Sequence, residues 1–126
     1  MSEHIMQLST FDITEGKLEA FKASIEKSVT FTEENGPQLL VEVYIDEENM
    51  QAHSCQIQPD SESILAHWDM SEPYIDDVME ACTMKRLDIY GQPNDEVMAG
   101  LEELAEKIPV TVTPHFTGFS RFQTQI

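Results

Sequence analysis

The strongest constraint on the fold is the alternating segment from Gln38 to Asp46. Aliphatic side chains recur there at every second residue, which is the pattern of a β-strand with one buried face. A turn at residues 47–49 and a second extended segment from Met50 to Gln58 follow, so the two segments are predicted to pair as a β-hairpin. The alternation places His53 in the middle of the second strand.

The residues before the hairpin predict a strand and a long helix. The strand is expected at residues 4–11 and the helix at residues 15–34, where apolar side chains are spaced by three and four residues. Thr14 is expected to cap the start of this helix through its hydroxyl group. Gly36 is expected to end it in the left-handed conformation that glycine tolerates.

The residues after the hairpin predict further helices and one more strand. Helices are expected at residues 61–70 and 72–81, and a strand at residues 83–90. Asn94 is expected to cap an additional amphipathic helix. Residues 110–122 are expected to form an extended tail.

This order of elements predicts an α+β fold of the ferredoxin-like βαββαβ type, in which helices cover one face of a four-stranded antiparallel sheet. With the extra C-terminal helix and the extended tail, the 126 residues have the size of a single domain, 1–126. Leu40 and Tyr44 would lie on the uncovered face of the sheet. Other apolar side chains that could share this face are Met6, Leu8, Met84 and Tyr90. Because an apolar face of this size needs a cover, a homodimer is predicted.

The charge balance argues against several classes of partner. The chain has 7 Lys and Arg against 24 Asp and Glu, a formal net charge of -17. Nucleic acids and anionic membrane surfaces would repel such a protein, so neither is an expected partner. The sequence also lacks the pattern of a signal peptide and any apolar run long enough to span a membrane, so a cytoplasmic location is expected.

Motifs for metal or phosphate binding are absent from the sequence. Cys55 and Cys82 do not form a CxxC pair, and there is neither an HExxH motif nor a glycine-rich phosphate loop. We therefore expect no metal and no cofactor.

Several segments resemble a known family. The segments Leu40–Glu48, Ala52–His53 and Asp60–His67 resemble the dimeric α+β barrel proteins, and within them the antibiotic biosynthesis monooxygenase family. The segment Ile89–Pro93 and the tail around His115 resemble an uncharacterised subgroup of that family. The resemblance implies two protomers packed sheet to sheet, with a small-molecule cavity between each sheet and its helices. It also implies oxidation of quinol-like or polyketide substrates by molecular oxygen without a cofactor.

One branch of the family degrades haem with an Asn, a Trp and a His. In a register without gaps, these positions correspond here to Ser9, Trp68 and Val78, of which only Trp68 agrees. Haem binding or degradation is therefore the least favoured function. Gln56 stands where the third strand of the family often carries a Glu, which weakens the transfer of a proton-handling role.

Two histidines are candidate catalytic residues. Oxygenation without a cofactor needs a base to form a substrate anion and a polar group to hold the developing charge. His53 is the first candidate for the base because it is central in a strand and imidazole titrates near neutral pH. His67, beside Trp68, is the second. The structural alternatives are a hydrogen-bonded histidine in the sheet and a histidine stabilised by a helix dipole.

Five further residues are candidates for ligand binding. Glu42 and Tyr44 share a strand face and are expected to line the cavity with His53. Arg121, like Arg86, is one of the few cations that could pair with a carboxylate there, as a structural ion pair or as part of the site.

Trp68 is expected either to form a flat wall for an aromatic ligand or to pack in the core. His115 is expected in a tail that folds over the cavity mouth or onto the partner chain.

These residues support a cofactor-independent monooxygenase acting on a small hydrophobic molecule as the leading functional hypothesis. The alternative is a non-catalytic homodimer on the same scaffold that binds a small ligand or acts in a stress response. The sequence leaves open whether the protein is an enzyme.

Overall fold

The computed structural model describes residues 4–119, and for residues 69–77 it describes the backbone alone. The elements follow the predicted order: β1 (Ile5–Ile13), α1 (Leu18–Asn35), β2 (Leu40–Asp46), β3 (Gln51–Gln58), α2 (Ser61–Met79), β4 (Cys82–Tyr90), α3 (Asp95–Ala105) and β5 (Val110–Thr113). The predicted α+β fold is confirmed.

The sheet has one more strand than expected. Its order is β2-β3-β1-β4-β5, and the first four strands pair antiparallel as predicted. The start of the expected tail forms β5, which pairs parallel to β4 with Leu87 opposite Val110. Helix α3 connects β4 to β5 and returns the chain to the same end of the sheet, which is the connection that parallel pairing requires. The sheet is therefore mixed rather than wholly antiparallel.

The core lies between the sheet and the helices in two clusters. In the first, Phe21 of α1 packs against Phe11 of β1, with ring centroids 6.4 Å apart. In the second, Val97 and Leu101 of α3 pack with residues of α2 and β4 such as Ile64. The helix predicted to be amphipathic thus buries Val97 and Leu101. Asn94 caps this helix as expected, with its Oδ1 accepting from the backbone N–H of Val97 at 3.0 Å.

The cap predicted at Thr14 is wrong, and Gly36 caps the other end of α1 as expected but in a different conformation from the one predicted. The helix begins at Leu18, and its cap residue Lys17 makes no side-chain capping bond. Gly16 has a φ of +82°, which interrupts the helical backbone between Thr14 and Leu18. At the other end, Gly36 is extended, with a φ of -91°. A Cβ there would lie 2.9 Å from the backbone oxygen of Thr32, so the glycine permits a close approach rather than a left-handed turn.

The region after the hairpin forms one helix instead of the two predicted. Helix α2 runs without interruption from Ser61 through Pro73 to Met79. Asp60 caps it by accepting from the backbone N–H of Ser63 at 2.8 Å. The proline removes one backbone donor but does not end the helix.

The helices leave one face of the sheet uncovered in the described chain. Tyr44 lies opposite His53 on this face, and Met6 lies opposite Tyr90. Met84, one of the side chains considered for this face, packs against both core clusters instead. The cause is a shift in register between Thr10 and Phe11, where β4 has one extra residue. Met84 is therefore paired with Phe11 and, like Phe11, faces the helices.

No helix among the described residues combines the length and the apolar character that crossing a membrane would require.

Candidate functional site

A cavity of about 500 Å³ lies between the sheet and the helices. Most of its wall is apolar and comes from every helix and from the four antiparallel strands. The apolar side chains of this wall include Ile25, Val29, Val41, Val43, Met84, Leu87, Leu101 and Leu104. Its volume falls within the range of about 300–1,000 Å³ that is typical of sites for small molecules. The geometry therefore provides a binding site for a hydrophobic ligand.

One part of the wall is polar and belongs to the two central strands. Gln7 lies opposite Gln56, and Ser9 lies opposite Ser54, in the pairing of β1 with β3. All four side chains line the cavity. Because the side chains of a strand alternate between faces, these residues form two polar rows that face the helices. Amide and hydroxyl groups at such positions do not add to an apolar core, so they indicate a site.

Gln38 and His67 join this polar region. The amide nitrogen of Gln38 lies 2.6 Å from Nδ1 of His67 and 3.3 Å from Oε1 of Gln56. Burial lowers the pKa of His67 below its ordinary value of 6.5, so the imidazole is neutral at neutral pH. A neutral imidazole can both donate and accept a hydrogen bond.

Trp68 forms the wall next to His67. Its ring packs against Gly100 of α3, where an added Cβ would lie 2.7 Å from Cζ3 of the indole. Trp68 also packs against the second core cluster. Trp68 therefore both lines the cavity, as a wall for a ligand would, and packs in the core, so the two predicted roles are compatible. A glycine is needed at position 100 for the indole to keep its place.

The expectation that Glu42, Tyr44 and His53 line the cavity is wrong. The three residues do share a face, but it is the face without helices. Ser54 and Gln56 of β3, like Val41 and Val43 of β2, line the cavity, so the alternate residues of both strands point away from it. On that face, Nδ1 of His53 lies 3.4 Å from Oγ1 of Thr10. The side chain of Tyr44 is 62% exposed in the single chain.

The remaining candidates also lie away from the cavity or outside the described residues. His115 lies beside a second pocket, of about 400 Å³, which the tail forms with Met6 and Tyr90. It therefore does not cover the mouth of the larger cavity. Arg86 binds Asp88 on the uncovered face, with distances of 3.0 and 2.8 Å from Nε and Nη2, and so does not pair with Glu42. Arg121 lies outside the described residues.

Four positions that were compared with the family line the cavity, although only Trp68 among them was predicted to bind a ligand. Ser9, Trp68 and Val78, the positions aligned with the haem-degrading branch, all line the cavity, as does Gln56. Gln7, Gln38 and Gln58 were not predicted to belong to this region. The spacing of Gln56 and Gln58 by two residues in β3 could have indicated Gln58, whereas Gln38 lies before β2 and shows no such spacing.

The described residues contain no group of three or more His, Cys, Asp and Glu side chains that could hold a metal ion. Cys82 is buried and Cys55 partly buried, and neither forms a disulfide. Burial raises the pKa of Cys82 to about 11, so its thiol stays protonated and inert.

The fold of this chain is similar to the folds of several solved structures. MupZ from Pseudomonas fluorescens is similar over 96% of this chain and 91% of its own, with a TM-score of 0.78 and 23% identity. SnoaB, a cofactor-independent oxygenase from Streptomyces nogalater, is similar over 74% of this chain and 96% of its own, with a TM-score of 0.63 and 7% identity.

A "putative antibiotic biosynthesis monooxygenase" from Nitrosomonas europaea is similar over 73% of this chain and 92% of its own, with a TM-score of 0.64 and 13% identity. No protein-family model and no curated protein matches the sequence. These similarities show the fold.

Proposed function

We propose that this chain is a cofactor-independent monooxygenase acting on an uncharged aromatic molecule of the quinol or polyketide type. The observation that carries the proposal is the cavity of about 500 Å³, whose wall is mostly apolar and includes a polar region where neutral His67 lies near the glutamine amides. SnoaB, which has the same fold, is a cofactor-independent oxygenase. This likeness supports the proposal for the reaction.

The charge of the wall favours an uncharged substrate. Among the described lining residues none is cationic, and the carboxylate of Glu103 is the one formal charge. The chain as a whole carries a net charge of -17, which repels anions. An aromatic molecule with a single polar end matches both the apolar wall and the polar region.

The reaction requires only the substrate and molecular oxygen. A benzylic methylene group loses a proton to give an anion, which transfers electrons to oxygen. One oxygen atom becomes a carbonyl group on that carbon, and the other leaves as water with the two methylene hydrogens. His67 would lie against the oxygen that carries the negative charge of the anion, and Trp68 would hold the aromatic rings.

Anthrone tests this proposal because its methylene group is converted to the carbonyl of anthraquinone in this way. We expect the protein to increase oxygen uptake above the uncatalysed rate and to incorporate one labelled atom from ¹⁸O₂. Gly100→Ala is expected to abolish most of this increase, because its Cβ pushes the Trp68 indole away from α3. The helix propensity gained from alanine, about 1 kcal/mol, offsets part of the clash, so the variant should fold.

Ala99→Ser is the control for this experiment, since residue 99 is exposed one position earlier in α3. Oxygen uptake equal to the uncatalysed rate, for anthrone and for a panel of naphthohydroquinones, would reject the monooxygenase. Ligand binding without turnover would instead support the non-catalytic alternative.

We also propose that two copies pack through the uncovered faces of their sheets. This face exposes 62% of Tyr44 and 41% of Tyr90 in the single chain, and Leu8, Leu40 and Ile57 surround them. A second copy provides an apolar surface of the same shape, as a twofold interface requires.

Light scattering is expected to give twice the chain mass of 14.3 kDa at micromolar concentration. Tyr44→Glu is expected to give a folded monomer, because it would bury a charge in the interface. Thr30→Glu adds the same charge at an exposed position of α1 and should leave the dimer intact. A wild-type mass of one chain would contradict the proposed dimer.

A further inference from the structure

A chain of hydrogen bonds connects the glutamines of the sheet to His67. The amide nitrogen of Gln58 lies 3.3 Å from Oε1 of Gln7 and 3.3 Å from Oε1 of Gln56. The amide nitrogen of Gln38 lies 3.3 Å from the same oxygen of Gln56 and 2.6 Å from Nδ1 of His67. An amide nitrogen only donates, so its two hydrogens occupy two acceptors. Nδ1 of His67 is then the acceptor of the second hydrogen of Gln38.

The reverse direction of this chain is less favourable. If every amide were turned around, Nδ1 of His67 would donate to Gln38. In the observed direction the groups left without a partner among the described residues are two buried oxygens, Oε1 of Gln38 and Oε1 of Gln58. In the reverse direction two buried NH₂ groups would take their places. Buried N–H groups without a partner are rarer and costlier than under-satisfied carbonyl oxygens, so the observed direction is preferred.

The other ring nitrogen of His67, Nε2, has no hydrogen-bond partner among the described residues. A neutral imidazole whose Nδ1 accepts carries its hydrogen on Nε2. Nε2 makes no hydrogen bond to any other described residue, and it is not among their buried unpartnered atoms. Since His67 lines the cavity, this N–H is available to a bound molecule.

We propose that Gln38 is a positioning residue that holds neutral His67 with its hydrogen on Nε2, so that the cavity selects molecules with a carbonyl or phenolic oxygen. The assignment of this oxygen to a reacting substrate rests on the proposed function, whereas the tautomer and the selectivity do not. His67 is then a hydrogen-bond donor to the ligand rather than the base expected from the sequence.

Gln38→Glu reverses the hydrogen bond that sets the tautomer. A carboxylate has no N–H to donate, so it can bond to Nδ1 only when Nδ1 carries the hydrogen. Ring ¹H–¹⁵N correlation spectra distinguish a protonated from an unprotonated ring nitrogen, and loss of one signal set in His67→Gln assigns that set among the 4 histidines. We expect Nε2–H in the wild type and a hydrogen on Nδ1 in Gln38→Glu. Gln92→Glu, which adds the same charge at an exposed residue, should keep the wild-type spectrum.

Two probes of the same shape test the selectivity. 1-Tetralone has a carbonyl oxygen, and tetralin has the same ring skeleton without it. At a pH where the His67 ring of Gln38→Glu carries one hydrogen, on Nδ1, the ratio of the two dissociation constants is expected to shift by about five- to tenfold against tetralone. This is the effect of one hydrogen bond. Gln92→Glu should leave the ratio unchanged.

The outcomes separate this inference from the proposed function. A wild-type His67 with its hydrogen on Nδ1 would overturn the inference even if anthrone is oxidised. This result does not depend on whether Gln38→Glu folds. An unchanged tetralone ratio in a folded Gln38→Glu variant would also overturn it. If the expected tautomer and ratio are found but no substrate is oxidised, the inference stands and the monooxygenase fails.

Discussion

Phe21→Ala is expected to lower the free energy of unfolding by about 3–5 kcal/mol, the range for removing a fully buried phenylalanine. The side chain is 0% exposed and connects α1 to the sheet through Phe11 and the rest of the first core cluster. Native domains are stable by about 5–15 kcal/mol, so this loss is a large part of the total. Urea denaturation followed by circular dichroism measures it.

Phe116→Ala is the matched control, because Phe116 is 94% exposed in the single chain. Its effect on unfolding is expected to be within about 0.5 kcal/mol, as for most surface substitutions. If both variants lost the same stability, α1 would not pack on the sheet as the structure has it.

The fold was predictable because a strand or helix that is buried on one side carries apolar residues at a regular spacing in the sequence. The alternation of β2 and the stripe of Val97 and Leu101 in α3 both correspond to contacts in the structure. The cap at Asn94 was predictable for a different reason, since it depends on residues within one helical turn.

Features that depend on distant contacts were not predictable in the same way. β5 has 4 residues, too few to show a period, and its pairing with β4 follows from the path of α3. The left-handed conformation predicted for Gly36 was based only on the residues that commonly follow a helix. Its actual neighbours are Thr32 and the side chain of Gln38, which folds back against the end of α1.

The candidate site was the least predictable part because both faces of the hairpin carry apolar residues. Val41 and Val43 line the cavity, while Leu40 and Tyr44 lie on the uncovered face, so alternation alone does not tell which face the helices cover. In β3 the inward residues after Ala52 are the polar Ser54, Gln56 and Gln58, which inverts the usual pattern of a buried face. His53 was therefore assigned to the cavity instead of Gln56.

Comparison of the two histidines gives the sharpest test of the site. His67→Ala is expected to lower the rate of anthrone oxidation by about 100- to 1,000-fold, the usual effect of removing a donor to a developing oxyanion. His53→Ala makes the same change on the opposite face of the sheet, where Nδ1 lies beside Thr10, and is expected to keep the wild-type rate. A larger loss in His53→Ala than in His67→Ala would place the reaction on the other face.

The pH dependence of the rate provides a second readout for His67. Burial lowers the pKa of this imidazole below 6.5, so the neutral form persists as the pH falls through 6.5. At still lower pH, Nδ1 gains a proton and loses the hydrogen bond from Gln38 that holds the ring in place. The imidazolium keeps its Nε2–H, but this donor is no longer held against the ligand. The wild-type rate is therefore expected to hold to below pH 6.5 and then to fall, while the residual rate of His67→Ala lacks this fall. Because the effect follows the charge of one ring, a fall centred above pH 6.5, or the same fall in His67→Ala, would show that another group controls the reaction.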